Sequence, residues 1–318
     1  VAIINHKDDQ MTNPKLAFVF PGQGSQKVGM LKEIAGQFPV VLDTFAEASD
    51  ELGYDLWDMV QNGEQQQLNL TERTQPILLT SSVALWRVWA EREGMRPAMM
   101  AGHSLGEFSA LVCAESIRFS EAVSLVRARG QFMQTAVPVG EGSMAAVLGL
   151  DDAVIVDVCS KTGAEAVNFN SPGQVVIAGK VAAVDQAIEL LKEAGAKRAM
   201  TLPVSAPFHT SLMQPAAEKL AEKMGQLRVA VPTIPVVHNV HAETESDPEK
   251  IKQLLVRQLY SPVKWTSCVQ TMVAAGIEKT LECGPGKVLS GLSKRIDRSL
   301  IGYNIEEPVA LEKALAEI

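Results

Sequence analysis

The stretch "MMAGHSLGEFSALVCA", residues 99–114, puts an apolar run directly before a Gly-x-Ser-x-Gly turn and a helix-forming run directly after it. Strand, sharp turn and helix in that order place Ser104 at the apex of an elbow. In such an elbow the serine is forced into a strained conformation, and glycines two places to either side let neighbouring backbone approach closely. A serine hydroxyl is a weak nucleophile, so it needs exposure, a base and donors for the oxyanion. The helix that starts near Leu105 aims free N–H groups at such a charge. Gly-x-Ser-x-Gly also occurs in ordinary glycine-rich turns, so the elbow alone leaves Ser104 between nucleophile and turn residue.

Working upstream, residues 16–20 ("LAFVF") read as a buried strand stopped by the loop "PGQGSQ". Two nucleotide-binding readings of that loop fail. A dinucleotide fingerprint requires Gly at position 27, which is Lys27, and a phosphate-binding P-loop requires Lys and Ser/Thr after Gly29, where Met30 and Leu31 stand. Helical patterns follow over 40–53 and 76–94, the second expected to begin at Pro76 and end at Gly94.

Downstream, the order strand (143–150), helix (151–163), two strands joined through "SPG", helix (180–195) and strand (196–204) is β-α-β-β-α-β. That is the order of a ferredoxin-like unit, here inserted into a larger domain. A helix ("MQPAAEKLAEKM"), a strand over 234–240 and a helix over 248–259 follow, then a strand closed by Gly284-Pro285-Gly286. Strands alternating with helices argue for a mostly parallel, helix-covered sheet. The expected organisation is a large α/β domain over 11–137 and 206–318, with a small ferredoxin-like domain over 138–205. Residues 1–10 are expected to be a tail or an expression remnant, without the apolar region of a signal peptide.

The 318-residue chain carries a net charge of −8, which argues against nucleic acid as the main partner. No apolar run is long enough to span a membrane. Its four cysteines form no metal-ligand spacing, which suits a reducing compartment; the cytoplasm and no metal are expected.

Five histidines compete for the role of base. His6 lies in the tail, and His103, next to Ser104, should point away from it. His209, where strand gives way to loop and helix in "PVSAPFHTSLM", stands against His238 and His241, which flank the end of "IPVVHNV". Arg129 shares a helical stripe with Ala122, Leu125, Val126, Phe132 and Met133, whereas Arg127 points elsewhere and is expected to be solvated. A guanidinium on a buried stripe requires an anion, either an internal Asp or Glu or a substrate carboxylate held by its fork.

Seven motifs in order, "FVFPGQGSQ", "GHSLGEFSALV", "VRARGQFMQ", "VNFNSPGQVVIAG", "PVSAPFH", "VRQLYSPVKW" and "ECGPGKVL", resemble the malonyl-CoA:acyl carrier protein transacylases of type II fatty acid synthesis. The resemblance implies an α/β-hydrolase-like large domain with a ferredoxin-like insert. It also implies Ser104 as nucleophile, His209 as base, the backbone N–H groups of Gln23 and Leu105 as oxyanion hole, Arg129 as carboxylate clamp and Gln258 as support for the histidine. Malonyl-CoA and holo acyl carrier protein would be the partners, with no cofactor. Phe108 stands where many members have Tyr, a change expected to affect packing. Phe208 matches malonyl-selective polyketide acyltransferases, and its ring is expected to disfavour an α-methyl group. Lys287, Lys294 and Arg295 are candidates for meeting the carrier. A thioesterase, a non-catalytic acyl binder and a free-standing polyketide acyltransferase are the competing readings.

Overall fold

The computed structural model describes residues 11–204 and 206–318, so the expectation for residues 1–10 lies outside it. Two sheets organise the chain. The larger consists of β1 (Thr12–Phe20), β2 (Arg96–Gly102), β7 (Val236–Val237), β8 (Lys279–Glu282) and β9 (Ile301–Asn304), in the order β7-β2-β1-β8-β9. Every pairing in it is parallel. β1 is central, and Leu16 through Phe20 are fully buried, as the unbroken apolar run "LAFVF" requires of a strand covered on both faces.

The smaller sheet holds β3 (Gly142–Leu148), β4 (Glu165–Ser171), β5 (Gln174–Lys180) and β6 (Arg198–Thr201), in the antiparallel order β4-β5-β3-β6. Alternation along β5 divides its duties. Val175 and Ile177 pack with Ile155, Val184 and Leu191 of the helices Asp152–Thr162 and Val181–Glu193 in a core of their own. Val176 and Ala178, one residue out of step, join the core of the larger unit. The small sheet is therefore clad by its helices on one face and by the rest of the molecule on the other.

Two expected boundaries are corrected. The helix expected from Pro76 starts at Thr71 and contains Pro76. Burial of Thr71, Thr74 and Gln75 draws the earlier turn into the core, at the cost of one backbone hydrogen bond. The strand expected over 234–240 is only Val236–Val237. The next two amides leave the sheet, with His238 N–H donating to the Glu243 carbonyl and Asn239 N–H to the Glu107 carboxylate. No helix among the described residues is long and apolar enough to cross a membrane.

Candidate active site

β2 runs into Ser104, and the helix Leu105–Cys113 leaves from it. Ser104 has φ 52° and ψ −107°, a strained backbone for any residue with a side chain. The glycines show why the turn closes. A Cβ on Gly102 would lie 1.9 Å from the Gly106 backbone, and one on Gly106 would lie 2.0 Å from the Phe20 carbonyl oxygen. The loop after β1 closes over the same turn, since a Cβ on Gly22 would sit 2.5 Å from the His103 carbonyl oxygen. That loop carries Gln23. Among the described residues, neither the Gln23 nor the Leu105 N–H donates to a protein acceptor.

His209 meets Ser104 across the chain, its Nε2 standing 2.8 Å from Ser104 Oγ. On the other side of the ring, Nδ1 is 2.8 Å from the backbone carbonyl of Gln258. A carbonyl only accepts, so Nδ1 carries the proton and Nε2 presents its lone pair to the serine hydroxyl. Burial, and after it the charge of Arg129, push His209 down to about 3, against the pull of the Gln258 carbonyl. It is thus a neutral imidazole at rest.

Arg129 comes from the helix Phe119–Thr135, where Ala122, Leu125, Val126 and Met133 are buried with it. Its guanidinium is 1% exposed and lies over the Phe108 ring at 5.2 Å, so Phe108 bears on the site's charge as well as on packing. Its partners are neutral: Gln75 Oε1 at 2.9 Å, Gln258 Oε1 at 2.7 Å and Ser104 Oγ at 3.3 Å. Its Nε has no partner, and among the described residues no carboxylate forms an ion pair with it. Burial lowers its pKa to about 10, while the more distant charge of Glu107 opposes that shift. Among the described residues no internal Asp or Glu contacts it, and the cation faces the serine. Arg127 is half-buried, donating to the Leu52 carbonyl at 3.1 Å and stacking near Tyr54, which corrects its reading as a solvated side chain.

Gln258 touches almost everything. Its backbone carbonyl holds His209, its Oε1 takes Arg129, and its Nε2 donates to the Ser104 carbonyl at 3.0 Å and to Glu107 Oε2 at 3.0 Å. Of the remaining histidines, His103 turns away to Asn170 at 2.7 Å, His238 bonds Glu107, and His241 accepts from the Glu243 N–H. Three polar residues were missed in the sequence. Gln75 reaches Arg129, and Asn239 spans the elbow, its Oδ1 accepting from Ser104 N–H at 2.8 Å and its Nδ2 donating to the Gly102 carbonyl at 2.7 Å. Glu107 accepts from the Asn239 N–H and from Gln258 Nε2; its one sequence signal is a charge inside an otherwise apolar helix. Among the described residues no cluster of His, Cys, Asp or Glu is placed to hold a metal ion, and the four cysteines are buried and unpaired.

Residues 17–295 match the family described as acyl transferase domain, which sets the class: the chain is an acyltransferase. The chain is 56% identical over 307 residues to the malonyl CoA-acyl carrier protein transacylase of Salmonella typhimurium, covering 95% of this chain and 99% of that one. Among solved structures, an acyl carrier protein S-malonyltransferase from Vibrio cholerae superposes with a TM-score of 0.93 at 56% identity, covering 94% of this chain and 99% of that one. A malonyl-transacylase in complex with its type II PKS acyl-carrier protein gives 0.95 at 51% identity, covering 96% and 100%. The chain belongs to the malonyl CoA-acyl carrier protein transacylase family.

Proposed function

We propose that the protein moves a malonyl group from malonyl-CoA to the phosphopantetheine thiol of an acyl carrier protein through a malonyl-Ser104 intermediate. The observation that carries this is Arg129, a buried cation 3.3 Å from the serine oxygen that no carboxylate among the described residues contacts. A malonyl carboxylate supplies an anion in direct contact with the guanidinium and aligns the thioester carbonyl with Ser104. His209 Nε2 takes the Ser104 proton as Oγ bonds to the carbonyl carbon, with the negative oxygen held by the N–H groups of Gln23 and Leu105. The C–S bond then breaks and His209 returns the proton to the departing CoA sulfur. In the second half the carrier thiol gives its proton to His209, its sulfur bonds to the acyl carbon, and the Ser104 C–O bond breaks with reprotonation of Oγ. Neither half needs a cofactor or metal.

The strand orders support an α/β-hydrolase-like larger unit over 11–137 and 206–318 and a ferredoxin-like insert over 138–205. The cysteine pattern supports the cytoplasm as its compartment. The motif resemblance supports fatty acid elongation as the pathway. The neighbour that carries a PKS carrier supports polyketide supply as the second reading, and transfer rates to the two kinds of carrier separate them. The test of the chemistry is intact-protein mass spectrometry after brief exposure to malonyl-CoA. A malonyl adduct should form, vanish in Ser104→Ala and discharge when holo carrier is added. Free malonate released without any need for carrier would make the protein a thioesterase, and no adduct at all would leave a non-catalytic binder.

A further inference from the structure

Glu107 is fully buried on the first turn of the elbow helix, and neither Ser104 Oγ nor the Arg129 guanidinium is among its hydrogen-bond partners. Its Oε1 lies 2.7 Å from His238 Nδ1; its Oε2 accepts from the Asn239 backbone N–H at 2.9 Å and from Gln258 Nε2 at 3.0 Å. Those two partners clasp the reacting serine. Asn239 holds the amide of Ser104 and the carbonyl of Gly102, while Gln258 holds the carbonyl of Ser104 and, through its own backbone, His209. The Gln258 amide has one workable orientation. Turned over, it would set its NH2 against the guanidinium, which only donates, and its oxygen against the carboxylate, which only accepts.

We propose that Glu107 is a positioning residue that serves as the counter-anion of Arg129, held one amide away from it through Gln258. Placed there it sustains the buried positive charge and fixes Gln258 without occupying the guanidinium. In direct contact it would consume the fork and compete with the acyl carboxylate. In a site shielded from water, Coulomb attraction acts across an intervening amide, whereas hydrogen-bond competition requires contact. The sequence Arg129, Gln258, Glu107 is thus an ion pair held open, with its vacant face toward Ser104. This rests on the malonyl reading above. A residue that only favours the dipole of its helix or fills the core would change reactions of all acyl groups alike.

The test measures acylation rates of the full chain by malonyl-CoA and, separately, acetyl-CoA, using rapid quenching and intact mass. Glu107→Gln should lower the malonyl-to-acetyl rate ratio by about tenfold or more, the size of a lost charge-assisted contact. Glu107→Asp, which keeps the charge, should hold the ratio within about threefold of wild type. In an Arg129→Ala background, Glu107→Gln should leave the ratio as it is, because the charge it serves is gone. An equal fall for both substrates, or an unchanged ratio, overturns the inference while leaving malonyl transfer intact. If Glu107→Gln does not fold by thermal melting, Glu107→Asp decides: a retained ratio supports the inference, and a tenfold loss overturns it. A wild-type chain that gains no malonyl adduct sinks the reading beneath, and this inference with it.

Discussion

Gln258 joins two buried histidines that the fold treats in opposite ways. His209 receives its backbone carbonyl, a neutral acceptor, and faces Ser104 with Arg129 close by. His238 is reached through the side chain of Gln258 by way of Glu107, a carboxylate, and its far nitrogen has no partner among the described residues. Both rings are anchored at Nδ1, so anchoring alone does not distinguish a base from a strut. What differs is the opposite edge: in one case a hydroxyl with a cation beside it, in the other packed protein. The lesson is that a working histidine is identified by what its free nitrogen faces.

Exchanging the two rings is the hardest blow to that comparison. His209→Ala should slow acylation by roughly 10²–10⁴-fold, the usual worth of a general base, with the chain still folded. His238→Ala should instead cost on the order of 1–3 kcal/mol of stability, because the buried Glu107 loses a donor, and should alter the rate less than His209→Ala. Rapid-quench acylation and thermal melting read the two effects, and a reversed ranking breaks the comparison.

Proton uptake sharpens it. In the proposed mechanism His209 acts as the neutral ring, and its pKa of about 3 lies far below the ordinary 6.5. Acylation against pH should therefore show no half-loss near 6.5. Arg129→Ala removes one cause of the depression and should move the acid limb upward. The sign for stability follows from the same shift. The unfolded chain binds this proton first, so the contribution is whole above pH 6.5 and declines as pH falls from 6.5 toward 3. The slope is about 1.4 kcal/mol per unit, read as a falling melting temperature.

The smallest effect concerns the wall beside the base. Phe208 is buried directly before His209. Phe208→Ser should relax discrimination against methylmalonyl-CoA by about tenfold, the scale of one methyl group in a pocket. Competition between the two thioesters measures it, and equal use of both by the wild-type chain removes the proposed role of the ring.

The elbow was legible because its requirements are local: two glycines, a strand before and a helix after. Arg129 was legible because 3.6-residue periodicity reports which face of a helix is buried. Choosing His209 over His238 and His241 was not legible from the residues themselves; the family resemblance pointed to it, and the fold brings its ring to Ser104. The roles of Glu107 and Asn239 were not legible for a related reason: these contacts join residues more than 130 positions apart. Pro76 misled because tertiary burial of Thr74 and Gln75 outweighs a local preference for proline at a helix start.

β4 carries a consequence for engineering. It breaks register with β5 at two points, and there its backbone pairs with a loop far along the chain: Phe169 N–H donates to the Val263 carbonyl at 3.0 Å, and Val263 N–H to the Val167 carbonyl at 2.8 Å. Thr266 adds its hydroxyl to the Phe169 carbonyl. Residues 138–205 excised alone would leave the Phe169 amide and the Val167 carbonyl without these partners. A piece that keeps these bonds is discontinuous, because it includes residues 263–266.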